Sequence, residues 1–84
     1  LRTRITARDA RPGTALIHWR APAKPLAQGA VFSFTGAGDA EEAARSLYAV
    51  LRRADRGGFA RIVCERAPRS AGELGRAIND RLER

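Results

Sequence analysis

Cys64 is the one cysteine of the chain and a potential nucleophile, but nucleophilic catalysis needs a base within reach. The lone histidine, His18, lies among linker signals, whereas Cys64 sits inside the apolar run Ile62-Val63-Cys64. A free cysteine in such a run reads as a small buried hydrophobe. One cysteine excludes an internal disulfide and any multi-cysteine zinc site, and one histidine leaves a histidine-based metal site without a partner. Gly36-Ala37-Gly38 precedes a helix signal, an arrangement whose free N–H groups and dipole can hold a phosphate. Asp39, Glu41 and Glu42 place negative charge where that phosphate would sit, no Walker-type lysine follows, and no dinucleotide glycine pattern is complete. The stretch reads as an ordinary strand-to-helix turn.

The arginines are the remaining candidates. Sixteen basic residues, all but Lys24 arginine, face 9 acidic ones, for a formal charge of +7. A guanidinium suits phosphate, and this much charge on a small domain attracts polyanions by counterion release. Arg52, Arg53 and Arg56 could form such a patch and contact RNA. Two plainer origins compete: a composition that uses Arg for Lys throughout, and a helix last turn that favours cations whatever lies nearby. Trp19, Phe32, Phe34, Tyr48 and Phe59 fall mostly at core positions, so base-specific reading is unsupported.

These residues need elements to position them. Ile5 and Ala7 alternate with polar neighbours, which suits an edge strand or an extended arm over residues 1–10. Arg11-Pro12-Gly13 is a turn signal, Ala15 to Trp19 is extended by composition, and the prolines at 22 and 25 favour an open connection. Ala30 to Phe34 reads as a buried strand. Asp39 and Glu42 then form a capping box, and Ala40, Ala43, Ala44, Leu47, Tyr48, Leu51 and Ala54 make one apolar helical stripe. Gly57-Gly58 supplies a left-handed stop. Ile62-Val63-Cys64 suits a central strand, and a second capping box, Ser70 with Glu73, opens a helix lined by Leu74, Ala77, Ile78 and Leu82. Gly72 and Gly75 weaken that helix by roughly 1 kcal/mol each relative to alanine, unless they permit close packing. The order strand, helix, strand, helix predicts parallel pairing of 30–34 with 61–65 through a crossover, with an N-terminal extended segment adding a strand. The expected architecture is a small α/β sandwich.

Eighty-four residues allow one small domain, and no apolar run approaches the ~20 residues that cross a bilayer. No export signal is visible, so cytoplasm is the expected location, with no membrane partner. The chain contains no Met and opens on Leu1, which reads as a piece of something longer.

Several motifs together resemble a known family. Pro12-Gly13, then His18-Trp19 and Ala21-Pro22 followed by Pro25-Leu26, resembles the Pro-Gly-Met…His-Tyr-Ala-Pro linker of the two-domain threonylcarbamoyl-AMP synthases. Asp39 through Arg52 is similar to that family's Asp…Glu-Ala-Ala-Arg-x-Leu-Phe-x-x-Leu-Arg helix, and Leu74 through Leu82 to its Gly-x-Ala-Ile-x-x-Arg-Leu ending. The chain departs from the pattern at Arg11, Thr14, Leu16 and Trp19, carries Arg20 as an insertion, and is short between Leu26 and Asp39. The resemblance implies a small Rossmann-like α/β domain with a short, mostly parallel sheet, two covering helices and an extended N-terminal arm. Residues 1–26 would be arm and linker, and 27–84 the accessory domain. It implies a non-catalytic chain that closes the pocket of a separate catalytic domain, with Pro12, Gly13, His18 and Trp19 facing that pocket. ATP, threonine and bicarbonate would be bound by the catalytic domain and no cofactor by this chain, in support of threonylcarbamoyladenosine formation in tRNA. The alternatives are a stand-alone basic module that binds RNA, tRNA included, and a protein-interaction domain.

Overall fold

The computed structural model describes residues 4–6, 8–22 and 30–83. Three strands form one parallel sheet: β1 (Thr14–Arg20), β2 (Ala30–Thr35) and β3 (Arg61–Cys64). Two helices follow the second and third strands, α1 (Ala40–Arg56) and α2 (Gly72–Leu82), the latter preceded by a 3-10 turn at Arg69–Ala71.

The strand order is β2-β1-β3, so the direct pairing expected between 30–34 and 61–65 is replaced by pairing of each with β1. Leu16 is registered against both Val31 and Val63, and Ile17 against Phe32 and Cys64. The reason lies in composition. Every residue from Thr14 to Trp19 is buried, with Ala15, Leu16 and Ile17 at 0% exposure. A strand apolar on both faces gains most at the centre of a parallel sheet. The other strands leave Ile62 and much of Ala30 to Ser33 partly open, as edge strands can. β1 lies on the N-terminal side of the boundary drawn at residue 26, so the segment read as linker and the 27–84 unit share one sheet; residues 23–29 lie outside the described residues.

Side chains alternate across the sheet. Ala15, Ile17, Trp19 and Phe34 pack with Ala43, Leu47, Val50, Ala54 and Ile78, so both helices cover the same face. Burying Ile17 or Phe34 there stabilises the fold by roughly 1.5–3 kcal/mol each. Leu16 and Val63 point the other way and are covered by Ile5 of the N-terminal arm, with Ala10 beside them. The arm adds no strand among its described residues; it contributes an apolar plug.

α1 starts where its cap predicts, since the Asp39 carboxylate accepts the Glu41 N–H at 3.0 Å. Glu42 does not close the box by reaching back to the Asp39 N–H. Its carboxylate accepts the Thr35 hydroxyl at 2.5 Å and the Gly36 N–H at 3.0 Å, and Thr35 Oγ1 takes the Gly38 and Asp39 N–H groups instead. The strand end thus supplies the cap that the helix was expected to supply itself. The chain leaves α1 through Gly57 and Gly58, the latter at φ +70. The second capping box does not form: Ser70 falls inside the 3-10 turn, Gly72 bends the chain at φ +68, and α2 begins without a side-chain cap. Arg81 donates to the Tyr48 hydroxyl and lies over its ring, joining the exposed sides of the two helices.

Candidate functional site

β1 hands the chain to β2 on one side, and β3 returns on the other. In parallel sheets the crevice outside the carboxyl ends of strands that diverge in this way is the usual place for a ligand. Here the β1 and β3 ends open into a crevice of about 1010 Å³ lined by Trp19, Glu65, Arg66, Arg69, Arg76 and Asn79, among others.

Glu65, the residue after β3, organises the floor of this crevice. One carboxylate oxygen accepts the Trp19 N–H at 3.0 Å, where the β1–β3 ladder has run out. The other accepts the Ile5 N–H at 3.1 Å and lies 3.9 Å from His18 Nδ1. One side chain therefore ties together β3, the end of β1 and the N-terminal arm. The His18 side chain is buried on the arm side of the sheet, and its Nε2 has no hydrogen-bond partner among the described residues. A polar atom withdrawn from water in this way costs roughly 1–3 kcal/mol until a partner reaches it.

The loop above the crevice is held by Asn79 of α2, whose amide accepts the Ala67 N–H at 2.7 Å and donates to the Ala67 carbonyl at 3.1 Å. That pair of hydrogen bonds to one residue ties the loop after β3 to α2. Arg66 pairs loosely with Glu83 at 3.7 Å, with both side chains about half exposed. The crevice carries charge of both signs, Glu65 and Glu73 against its arginines.

The residues singled out for chemistry separate in space. Cys64 shares a face with Ile17, while His18 points to the opposite face, so the two cannot form a nucleophile–base pair. Burial pushes the Cys64 thiol up, away from the reactive thiolate. The turn at 36–38 is no phosphate cradle, because the Gly36, Gly38 and Asp39 N–H groups are already bonded to Glu42 and Thr35. Those same bonds hold the Glu42 carboxyl below its usual range, the Thr35 hydroxyl first and the Gly36 N–H second. Among the described residues no cluster of three or more His, Cys, Asp or Glu is placed to hold a metal ion.

Of the four linker residues, Pro12 and Gly13 are exposed in the turn before β1, and His18 and Trp19 are buried within it. The structure therefore does not bring the four onto one surface. Arg52, Arg53 and Arg56 are all exposed at the end of α1, away from the crevice. Glu65, Thr35 and Asn79 were missed in the sequence. Asn79 lies inside the C-terminal motif, which was the available signal; Glu65 and Thr35 act through partners that no local pattern reveals.

A family model described as threonylcarbamoyl-AMP synthase, C-terminal domain, matches residues 3–84. No curated protein and no solved structure matches this chain. Among the described residues no helix is long and apolar enough to cross a membrane.

Proposed function

This chain belongs to the threonylcarbamoyl-AMP synthase C-terminal domain family, and from that premise we propose that it is a non-catalytic accessory domain that helps close the pocket of a separate catalytic domain. The observation that carries the reading is the extent of the family match, which covers nearly the whole chain. On this reading ATP, threonine and bicarbonate are bound by the catalytic domain, whose product feeds threonylcarbamoyladenosine formation in tRNA. The work of this chain is to exclude water so that an unstable carbamoyl intermediate survives.

The geometry suggests how the labour divides among the linker residues. Pro12 and Gly13, exposed in a turn, are free to face the pocket. Trp19 is only 5% exposed in the helix-side core and supports the turn by holding β1 in place. His18 Nε2 retains unused hydrogen-bonding capacity, which a second surface can satisfy when the arm shifts.

A two-armed experiment tests this in a chain that carries a catalytic domain together with residues 1–84. Deleting 12–84 lowers the yield of threonylcarbamoyl-AMP, and an unchanged yield overturns the proposal. His18→Phe removes the unpartnered nitrogen while keeping an aromatic ring of similar size. It leaves the unfolding midpoint of the 84-residue chain unchanged or slightly raised, yet lowers the yield if Nε2 meets the catalytic domain.

A further inference from the structure

The amino ends of the strands carry a second cavity, of about 380 Å³, on the arm side of the sheet. Arg4, Arg8, Arg11 and Arg61 line it, and Asp9 is the one acidic residue among its described neighbours. None of these arginines lies on the α1 patch singled out in the sequence. Two stretches far apart in the chain supply them, residues 4–11 of the arm and the start of β3, and backbone bonds hold those stretches together. The Thr6 N–H donates to the Asp9 carboxylate at 3.0 Å and the Asp9 N–H to the Thr6 carbonyl at 3.0 Å, which closes the arm into a tight turn carrying Arg8. Arg11 Nε donates to the Arg8 carbonyl at 3.3 Å, and the Thr14 N–H to the Arg11 carbonyl at 3.1 Å. The Gly13 carbonyl accepts the Ala60 N–H at 2.9 Å, which brings Arg61 beside this turn.

We propose that this cavity binds phosphate groups of a nucleic-acid backbone. Guanidinium groups gathered on one concavity with a single carboxylate leave an excess of positive charge that a phosphate satisfies by bidentate hydrogen bonding. All four arginines are exposed, and the remaining walls, Thr6, Thr14 and Val63, offer no aromatic ring on which a base could stack. The cavity therefore reads charge and not sequence. It is also open along its rim, an edge to which the arm contributes Arg4, Arg8 and Arg11 and the start of β3 contributes Arg61. A run of phosphates matches such an edge better than a single small anion does. The inference does not rest on pocket closure: its four arginines are not among the residues assigned to that reading, although Arg11 adjoins the Pro12–Gly13 turn.

The test is fluorescence anisotropy of a labelled RNA hairpin of about 20 nucleotides titrated with the 84-residue chain at 50 to 200 mM salt. The expected result is binding whose log K falls linearly with log salt, by close to one unit of slope per phosphate neutralised. Arg8→Gln with Arg61→Gln lowers that slope by about two. Arg45→Gln with Arg76→Gln removes the same charge elsewhere and lowers it by much less. Circular dichroism confirms that both pairs remain folded. A DNA hairpin of matching sequence binds similarly, as a backbone-only contact requires. Absence of RNA binding at 50 mM salt overturns the proposal, and so does an equal loss in the two double variants, which would mean diffuse charge and no site. Inorganic pyrophosphate provides the remaining arm: saturable pyrophosphate binding that the Arg8/Arg61 pair abolishes, without binding of either hairpin, assigns the cavity to a small free anion and overturns the nucleic-acid reading.

Discussion

Glu42 illustrates how one side chain can do different work from the one its position suggests. Placed three residues after Asp39, it was expected to cap the helix from within, yet its carboxylate holds the strand end through Thr35 and Gly36. Those two donors favour the ionised form and lower its pKa in the folded state. A depressed carboxyl contributes stability that is present above the unfolded pKa and is lost as pH falls through the folded pKa. The unfolding midpoint should therefore decline as pH drops below the ordinary glutamate range, and Glu42→Gln should flatten that part of the curve while lowering stability near neutrality. Thermal melts of the two proteins across acidic pH check this; parallel curves would mean that the Thr35 and Gly36 bonds do not discriminate between the charged and neutral carboxyl.

At the scale of elements, α2 is the informative case. Helix propensity says that alanine at position 75 should stabilise by up to about 1 kcal/mol. The structure says the opposite, because a Cβ on Gly75 would lie 2.4 Å from the Ala71 Cβ and 3.2 Å from the Ala67 Cβ. Neither neighbour is a flexible side chain that can swing aside. Overpacking of this kind costs roughly 1–3 kcal/mol, which outweighs the propensity gain. It also pushes α2 away from the Ala67 loop that Asn79 clamps. Gly75→Ala should lower the urea midpoint, whereas alanine at exposed positions of α2 should leave it nearly unchanged. A midpoint raised by Gly75→Ala would show that the helix shifts without cost.

For the whole molecule, the question is what covers the sheet face without helices. Leu16 and Val63 are buried there by the arm residue Ile5, whose N–H is held by Glu65, 60 residues away in the chain. Truncating Ile5 to alanine should cost about 2 kcal/mol, the low end for a buried isoleucine because the arm lies at the margin of the fold. The arm should then become sensitive to trypsin at Arg4 and Arg8 while α1 stays protected. Unchanged stability and unchanged cleavage would mean that the arm rests on the sheet without contributing to it.

How much of this was legible depends on how local each cause is. The span of α1 and most of its buried face could be read because its Asp39 cap, its stripe through Ala43, Leu47 and Ala54, and its glycine stop all act within a few residues; Val50, which is buried, lies outside the stripe read from the sequence, and Tyr48, which lies within it, is exposed. The family motifs were legible for the same reason, as short patterns in a fixed order, and they pointed to the family that the chain matches. The place of Thr14–Arg20 at the centre of the sheet was hidden by its proline-flanked setting, and it depends on burying both faces at once, a quantity that exists only when β2, β3, the helices and the arm are assembled. Glu65 was silent on its own: its meaning comes from Trp19 and Ile5, 46 and 60 residues distant in the chain. Sequence alone determined the local elements and the kinship of this protein; tertiary structure decided strand order, the gathering of four arginines at one edge, and which linker residues reach the surface, because each of those depends on contacts whose partners are distant in the chain.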